Sequence, residues 1–293
     1  MEKIILVAGA TGNLGRKICA ELTRLNCRIR ALVREESDKK KINTLEQLGV
    51  EIFKVRPDHP AELLNACKGV SCVVSALAGL HEVIVTVQSQ ILKAAILAGV
   101  PRYIPSDFST DFTGMPTGEN RNFDLRKEFE ALLNKSDIRA TSIFNGAFAE
   151  VLRYNIPLFD AKQKTIAYLE QKEDWAIDFT TMDDTAAFTA RVALDDTAPR
   201  YLRIASFRVS PNELVELSVQ HKESKFKLIS MGSMEGFSAY NKAQRAKYPA
   251  GENELYPNWQ QSQYLYSMFL VHHNKLDNDR YEGLKWSAVE ANI

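Results

Sequence analysis

Residues 3–15 read KIILVAGATGNLG and carry the most specific structural signal of the chain. The apolar run from Lys3 to Ala8 is typical of a short strand that is covered on both faces. Glycines follow at every third position, and beyond them Leu14, Ile18 and Leu22 recur at intervals that indicate one face of a helix. A strand, a glycine-rich turn and a helix in this order are typical of the first unit of a dinucleotide-binding sheet.

The rest of the first half alternates between apolar strand patterns and helices with one apolar face. Because a helix separates consecutive strands, we expect parallel pairing, right-handed crossovers and helices on both faces of the sheet. Further strands are predicted at Arg28–Val33, Val50–Val55, Val70–Ala76, Tyr103–Ile104 and Ala140–Phe144. The sequence therefore predicts the α/β class, with a doubly wound parallel sheet of the Rossmann type that binds ligands beyond the carboxyl ends of its strands.

The regular alternation ends after Gly146. The segment Ser210–Glu213 is a clear helix start, because its serine can cap, its proline suits the first turn and its glutamate can reach back to the cap. The remaining predictions are strands and turns over 164–180, a helix capped by Asp183 and Asp184 that runs through Leu194, a strand at Leu202–Val209, and a helix around Trp259, Tyr266 and Leu270 that His272 and His273 close.

This change of pattern predicts two domains. We expect residues 1–152 to form a dinucleotide-binding domain, with residues 178–209 returning to it. Residues 153–177 and 210–293 would form a smaller C-terminal α+β substrate domain that closes over the cofactor.

The composition is that of an ordinary folded protein, with 45% hydrophobic and 25% charged residues among 293. Basic and acidic residues both number 37, so the formal net charge is zero and nothing indicates a nucleic-acid partner. No apolar run approaches the roughly 20 residues that span a bilayer, and the N-terminus lacks a signal-peptide layout, so we expect a cytoplasmic protein. The four cysteines show no metal-ligand spacing, so free, mostly buried thiols and no metal site are expected.

Each of the three glycines has its own role in such a turn. Gly9 permits the tight turn, Gly12 lets the backbone approach a pyrophosphate, and Gly15 lets helix and strand pack closely. The helix N-terminus then offers free N–H groups and the positive end of its dipole to phosphate oxygens. The alternative interpretation is a glycine-rich turn that binds no ligand.

The end of the second predicted strand indicates which dinucleotide is preferred. An acidic residue there would accept hydrogen bonds from the ribose hydroxyls of NAD, but this chain has Arg34, followed by lysines at 39–41. A guanidinium suits a 2′-phosphate, because its planar fork binds phosphate oxygens in pairs. The sequence therefore favours NADP over NAD, although Glu35, Glu36 and Asp38 leave open that the lysines are only a solvated face.

Several segments resemble the atypical short-chain dehydrogenases, and among them the NmrA-like and isoflavone-reductase-like family. These segments are GATGNLGR at Gly9–Arg16, LVRE at the end of strand two, Gln88 followed by ILKAAILAGVPRYIPSDF at Ile91–Phe108, Phe148 within GAFAEVL, and the helix start DDTA at Asp183–Ala186. The resemblance covers residues 1–215 well and the C-terminal part weakly. The PSDF segment with its preceding helix is much more specific than the glycine motif.

The resemblance implies an NADP(H)-binding fold with a small substrate domain. It places Thr11, Gly12, Asn13 and Leu14 at the pyrophosphate, Arg34 and Lys39 at the 2′-phosphate, Ala76 and Leu77 along the adenosine and pyrophosphate side, and Pro105, Ser106 and Asn145 near the nicotinamide. Some members of the family reduce phenolic or aromatic substrates by hydride transfer, and others bind the cofactor as a redox signal.

The chain departs from the family at one position that matters for chemistry. Reductases of the family carry a lysine on the helix after PSDF, and the alignment of Phe123–Leu125 places Arg126 there. Arginine keeps its proton, so Arg126 could hold the ribose or stabilise an oxyanion but could not act as an acid or base. Lys127 replaces the lysine only if the helix turns or the alignment slips by one residue. Alternatively, Arg126 pairs with Glu130 on an exposed face.

The other candidate acid–base groups carry weaker signals. His81 follows the fourth strand and could act as a proton donor at the mouth of the site, or it could simply be solvated. The acid–base pattern Tyr-x-x-x-Lys occurs at Tyr168 with Lys172 and at Tyr281 with Lys285. Both pairs lie after the sixth strand, so we interpret them as coincidental.

Two functional hypotheses follow. The first is an NADPH-dependent oxidoreductase that reduces a small, largely apolar carbonyl, quinone or aromatic compound, with Arg126, Lys127 or His81 polarising the acceptor. The second is a non-catalytic NADP(H) redox sensor of the NmrA type that regulates a protein partner. The arginine at the family's lysine position motivates the second hypothesis.

Overall fold

The computed structural model describes residues 3–222 and 225–292, and its first half is built on one parallel sheet. The strands are β1 (Ile4–Ala8), β2 (Arg28–Val33), β3 (Glu51–Lys54), β4 (Cys72–Ser75), β5 (Arg102–Ile104) and β6 (Arg139–Ala140). They lie in the order β3-β2-β1-β4-β5-β6, and every neighbouring pair is parallel. The predicted doubly wound sheet is therefore confirmed.

Helices connect these strands, as the sequence pattern predicts. They are α1 (Asn13–Arg24), α2 (Lys39–Gln47), α3 (Pro60–Cys67), α4 (Gln88–Leu97) and α5 (Arg121–Leu133). A π-helical segment, Glu82–Val87, runs directly into α4. The strand order reverses between β1 and β4, so the loops that follow these two strands border the crevice where such sheets bind ligands.

The second half contributes short strands and further α-helices. The strands are β7 (Ser142–Phe144), β8 (Ala147–Phe148), β9 (Phe159–Asp160), β10 (Thr165–Tyr168), β11 (Ile177–Thr180), β12 (Tyr201–Arg203), β13 (Phe207–Val209) and β14 (Lys227–Ser230). The helices are α6 (Met182–Leu194), α7 (Pro211–Lys222), α8 (Met234–Lys247) and α9 (Asn258–Met268). The strands form the groups β12-β7, β13-β11-β8 and β14-β10-β9.

Both faces of the parallel sheet are covered, which explains why β1 is apolar throughout. Side chains alternate across a strand, so Ile5 and Val7 pack into a core with α1, α2 and α6. Leu6 and Ala8 pack into a second core with α3, α4 and α5. A third core holds the second half together and includes Phe159, Ile166 and Phe179 among its members.

The segment between β11 and β13 lies against the first half of the chain. Helix α6 shares the core of α1, and β12 pairs in parallel with β7, which continues the β6 segment after Thr141. Strand β13 instead pairs antiparallel with β11, outside the large sheet. The division into two domains with the bounds given above stays a prediction.

Four local predictions were wrong. The predicted strand Ala140–Phe144 is two strands, because β6 pairs with β5 whereas β7 pairs with β12. The segment 202–209 is two strands and not one, because Ile204 still bonds to β7 whereas Ser206 bonds to Phe179 of β11. The cap of α6 is Thr181, whose hydroxyl accepts from the Asp184 amide at 3.0 Å; Asp183 and Asp184 occupy the first turn, where carboxylates favour the helix dipole.

The fourth wrong prediction concerns the last long helix. Helix α9 ends at Met268, so His272 and His273 do not close it. The predicted start of α7 is confirmed, because the Ser210 amide donates to Glu213 at 2.7 Å and the Glu213 amide donates to the Ser210 hydroxyl at 3.2 Å.

Candidate functional site

The glycine turn between β1 and α1 is packed too tightly for any side chain at two of its positions. Gly9 has a φ of 78°, and a Cβ atom there would lie 2.5 Å from the Ala76 carbonyl oxygen. A Cβ atom at Gly15 would lie 2.2 Å from the Gly9 carbonyl oxygen. The Gly12 amide closes the turn by donating to the Gly9 carbonyl at 2.9 Å. The turn therefore draws α1, β1 and the loop after β4 together, as the sequence predicts for a phosphate-binding turn.

The first turn of α1 presents backbone amides without a side-chain cap. Gly12 is the cap residue and lacks a side chain, whereas Asn120 and Thr181 cap α5 and α6 through their side chains. The first turn of α1 also carries no acidic residue, and Gly12 and Asn13 are exposed there. Thr11 and Leu14 are half-buried beside them. Such a helix start is suited to an anion, because N–H groups and the helix dipole point toward it.

Arg34 and Lys39 lie at the carboxyl end of β2, next to the glycine turn. Strand β2 pairs with β1 so that Leu32 is opposite Ala8, which places Arg34 just beyond this edge of the sheet. The Arg34 amide donates to the Ser37 hydroxyl at 3.1 Å, and the side chains of Arg34 and Lys39 are exposed. Lys39 begins α2 directly after the cap residue Asp38. Both cations are thus accessible to a ligand that extends from the turn.

Hydrogen bonds join the ends of β4 and β5 into one surface. The Ala76 amide donates to Ala8 at 2.9 Å, and the Leu77 amide donates to the Ser106 hydroxyl at 2.9 Å. The Ser106 hydroxyl also lies 2.8 Å from that of Ser75, and Gln88 accepts from the Ser106 amide at 2.9 Å. The structure therefore brings together the residues that the sequence analysis places beside the cofactor, including Pro105, which is buried directly before Ser106.

Asn145 follows β7 and carries a fully buried amide whose side-chain atoms have no hydrogen-bond partner among the described residues. Its backbone is fixed, because its amide donates to Ser109 at 3.0 Å and its carbonyl accepts from Thr180 at 2.6 Å. A buried amide without partners costs free energy of about 1–3 kcal/mol. The Asn145 side chain is therefore a buried amide directly after β7 whose hydrogen-bonding capacity is unused among the described residues.

Arg126 lies on the face of α5 that contacts the ends of the strands. Its Nε donates to the Ser106 carbonyl at 3.1 Å, and its Nη1 donates to the Asn122 carbonyl at 2.8 Å. The expected alternative pairing with Glu130 does not occur, since Glu130 accepts instead from Arg200 at 3.2 Å and from the Tyr201 hydroxyl at 2.7 Å. A guanidinium that cannot lose its proton is thus held at the Ser106 end of β5.

The other two predicted catalytic candidates lie elsewhere. Lys127 donates from Nζ to the Met115 carbonyl, in the loop before α5, and so does not reach Ser106. His81 is exposed, and its Nε2 lies 3.0 Å from an oxygen of Glu128 on the outer face of α5. Lys127 does not share the position of Arg126, because neighbouring helical residues point about 100° apart.

Asp107 is a buried acid next to this surface that the sequence analysis did not assign. Burial raises the pKa of its carboxyl group to about 6, although the hydroxyl of Ser142 and the charges of Arg126 and Arg200 oppose the shift. The Ser142 hydroxyl donates to Oδ2 at 2.6 Å, and Oδ1 has no partner among the described residues. Only its place in the PSDF segment could have drawn attention to it, because burial is not visible in a single sequence.

The remaining sequence candidates have structural partners away from the strand ends. Lys172 donates to Phe269 at 2.7 Å, and the Tyr281 hydroxyl donates to Asp195 at 2.8 Å. The thiols of Cys19, Cys67 and Cys72 are free and buried. Over residues 3–222 and 225–292, no group of three or more His, Cys, Asp or Glu residues could hold a metal ion, and no helix is long and apolar enough to cross a membrane.

A cavity of about 310 Å³ lies in the second half of the chain and not at these strand ends. Its lining includes Thr165 and Ala167 of β10 together with Asn155 and Gln261. None of the predicted site residues lines it. We therefore locate the candidate site by the glycine turn and Arg126, because these groups have the chemistry to bind phosphate and to polarise an acceptor.

Comparison with known proteins agrees with this architecture. A model of the NmrA-like family matches residues 1–233. Pinoresinol reductase 2 of Arabidopsis thaliana is 29% identical over 232 residues, which cover 73% of this chain and 71% of that protein. Phenylcoumaran benzylic ether reductase IRL1 of Ginkgo biloba is 28% identical over 229 residues, which cover 73% of each chain.

Solved structures share the fold over nearly the whole chain. The structure of AtPrR2 with NADP⁺ and (+)pinoresinol has a TM-score of 0.79 at 22% identity and covers 99% of this chain and 97% of its own. An isoflavone reductase has a TM-score of 0.81 at 19% identity, with 99% and 98% covered. Because the family model spans most of the chain and the glycine turn, the parallel sheet and the PSDF segment agree with it, the chain belongs to the NmrA-like family.

Proposed function

We propose that this protein is an NADP(H)-dependent oxidoreductase that reduces a small, largely apolar carbonyl, quinone or aromatic compound by hydride transfer. The observation that carries the proposal is the guanidinium of Arg126, held at the carboxyl ends of the strands beside a glycine turn built for phosphate. The names of the relatives support it, since they are reductases of pinoresinol and of phenylcoumaran benzylic ethers. Solved neighbours in complex with NADP⁺ or NADPH support the choice of cofactor.

The chain's own residues fit such a cofactor. The uncapped amides of residues 12–14 would hold the pyrophosphate, with Thr11 and Gly15 shaping the turn, and Arg34 with Lys39 would hold the 2′-phosphate. Ala76 and Leu77 would border the adenosine and pyrophosphate side. At the other end, Pro105, Ser106 and the unpartnered amide of Asn145 would border the nicotinamide.

When bound, the nicotinamide supplies the hydride. Arg126 would donate a hydrogen bond to the acceptor oxygen and stabilise the negative charge that develops there as the hydride arrives. It cannot supply the proton that completes the reduction of a carbonyl, because a guanidinium keeps its proton. We therefore assign proton donation to water at the mouth of the site, and positioning and charge stabilisation to Arg126.

The test is NADPH oxidation, followed by absorbance, over a panel of quinones and aromatic aldehydes. We expect turnover with some members, and a loss of roughly a hundredfold in kcat for Arg126→Met, the scale seen when one oxyanion donor is removed. Lys127→Met is the matched control and should retain activity, because Lys127 is bound to Met115. The proposal fails if no acceptor stimulates oxidation, or if both variants behave like the wild type.

A non-catalytic NADP(H) sensor is the second candidate, and the arginine at the family's lysine position favours it. A sensor must bind the two redox states with different affinity, or bind a protein partner in only one of them. Calorimetry with NADP⁺ and with NADPH, followed by partner capture in each state, separates the candidates. Equal affinities together with capture in neither state would eliminate the sensor.

A further inference from the structure

The loop that precedes α9 is fixed against the start of α5 by a buried arginine. Arg121, only 6% exposed, donates to the carbonyl oxygens of Gly251 at 3.1 Å, Glu254 at 2.9 Å and Leu255 at 3.1 Å. Its guanidinium also lies 4.8 Å from the ring centre of Trp259. These hydrogen bonds satisfy a buried charge. If the loop moved away from α5, the buried guanidinium of Arg121 would lose its hydrogen-bond acceptors.

Asn122 connects this loop to Arg126. Its carbonyl accepts from Arg126 Nη1 at 2.8 Å, while its side-chain amide donates to the Leu255 carbonyl at 3.2 Å and to the Tyr264 hydroxyl at 3.0 Å. One residue therefore contacts both the guanidinium of the candidate site and the residue directly before Tyr256. The position of Tyr256 relative to Arg126 is set by this connection.

Tyr256 is an exposed ring at the edge of an aromatic cluster. Its ring centre lies 6.4 Å from that of Tyr264, which in turn lies 5.4 Å from Phe123. The Arg126 guanidinium lies 6.0 Å from the same Phe123 ring. Tyr256 is 56% exposed, and its hydroxyl has no hydrogen bond within the described ranges 3–222 and 225–292.

The electrostatics agree with this placement. Loss of water around the phenol and the neighbouring Tyr264 raise the pKa of Tyr256, and Arg126 is the positive charge that opposes the shift. The Nη2 group of Arg126 makes no hydrogen bond to the described residues, since Ser106 and Asn122 use Nε and Nη1. Tyr256 and the unused Nη2 donor of Arg126 thus both border the aromatic cluster of Phe123 and Tyr264.

We propose that Tyr256 is a specificity-determining residue of the acceptor site, and that the acceptor is a planar aromatic or conjugated carbonyl compound or a quinone. The ring of such a compound stacks on Tyr256 while its oxygen accepts from Arg126 Nη2. This inference rests on the proposed function. An aliphatic carbonyl offers the same oxygen but no π face, so it gains nothing from Tyr256.

The first test compares acceptors at saturating NADPH. For Tyr256→Ala we expect KM for cinnamaldehyde and for naphthoquinone to rise about tenfold, the scale of one aromatic contact. The value of kcat should be unchanged, because stacking stabilises the ground state and the transition state alike. KM for hexanal should also be unchanged, and Tyr256→Phe should behave like the wild type because it keeps the ring.

The matched control is Tyr248→Ala, which removes another exposed tyrosine of the same loop, one whose hydroxyl is bound to Glu254. It should change none of these constants. Three outcomes would overturn the inference. KM in Tyr256→Ala could rise equally for hexanal and cinnamaldehyde, or stay unchanged for the aromatic acceptors. KM could also rise as much in Tyr256→Phe as in Tyr256→Ala.

A binding measurement separates this inference from the proposed chemistry. Calorimetry of naphthoquinone with the NADP⁺-loaded protein gives a Kd even if no acceptor is reduced. A Kd about tenfold weaker in Tyr256→Ala, without turnover in the wild type, would support the aromatic site and reject the reductase. If the wild type binds no naphthoquinone, or if Tyr256→Ala binds it equally well, the aromatic site is rejected.

Discussion

At the scale of single residues, the candidate site depends on side chains whose partners restrict what they can do. Arg126 is bound to two carbonyl groups, so its orientation is set before any ligand arrives. Asn145 has a fixed backbone and a side-chain amide that has no partner in the part of the chain that the structure describes. Arg34, by contrast, is exposed at the end of β2 and is free to adapt to a phosphate.

Replacement of Arg34 by alanine should remove the preference for NADP over NAD. A charge-assisted hydrogen bond contributes roughly 1.5–3 kcal/mol, so we expect the affinity for NADP⁺ to fall at least about tenfold while the affinity for NAD⁺ stays the same. Calorimetry with both dinucleotides measures the ratio, and Lys93→Ala on the exposed side of α4 is the control. An unchanged ratio would mean that another group binds the 2′-phosphate.

Asp107 makes the stability of the fold depend on pH. Its pKa is about 6 in the folded chain against an ordinary value of 3.8, so between about pH 4 and pH 6 the folded state keeps a proton that the unfolded state has released. Stability therefore falls as pH rises through this window, by up to about 3 kcal/mol for a shift of this size. The groups that face this carboxyl are Ser142, Arg126, Arg200 and Glu130.

Urea unfolding at several pH values tests this expectation. The fall in stability between pH 4 and pH 6 should be absent in Asp107→Asn. The free energy of unfolding of this variant, relative to that of the wild type, should therefore increase as pH rises from 4 to 6. Asp137→Asn changes an exposed aspartate and should leave the pH profile as it is. Parallel profiles for the wild type and Asp107→Asn would show that the pKa of Asp107 is the same in the folded and unfolded states.

At the scale of elements, the site is made at two places, the glycine turn after β1 and the end of β5. The glycine turn contacts the loop after β4 through Gly9 and the start of α1 through Gly15. The end of β5 is joined to α5 by Arg126 and to the π-helical segment before α4 by Gln88, which also bonds to Ile84 at 2.8 Å. The two places lie on either side of the loop after β4, at the edge of the sheet where the strand order reverses, so one ligand can span them.

Gly15→Ala should disrupt the first of these places. The added methyl group would lie 2.2 Å from the Gly9 carbonyl oxygen, so α1 must move away from β1. The amides at the start of α1 would then no longer be oriented toward the phosphates. We expect a lower melting temperature and at least about a tenfold weaker Kd for NADPH, which corresponds to about 1.4 kcal/mol. Gly114→Ala has open space around the new atom and should change neither quantity; a wild-type Kd in Gly15→Ala would contradict the expected role of the turn.

At the scale of the whole molecule, the second half of the chain returns to complete the first. Strand β12 pairs with β7, and its Arg203 reaches the buried Asp111 in the loop before α5, with Nη2 to Oδ2 at 2.6 Å. Asp111 is 5% exposed, so its charge depends on this partner. The loop that carries Asp111 lies between Ser106 and Arg126, so the pairing supports the site from outside it.

Removal of Arg203 alone should be costly, because it leaves a buried carboxylate without a cation. We expect Arg203→Met to lower the free energy of unfolding by roughly 3 kcal/mol, measured by urea denaturation. The double variant Asp111→Asn with Arg203→Met should lose less than the single variant, because the stranded charge is gone. Equal losses in both would show that the ion pair is not the source of the stability.

Residue spacing along the chain was enough to specify the parallel sheet and the glycine turn, and it predicted NADP in preference to NAD. These features depend on the spacing of neighbouring residues, and apolar periodicity and glycine positions record that spacing directly. Long-range packing accounts for the rest: Arg126 contacts Ser106 and not Glu130, residues 202–209 divide between two sheets, and Asp107 and Asn145 are buried. Each of these outcomes depends on which distant segment packs against a residue, and no local pattern specifies that partner.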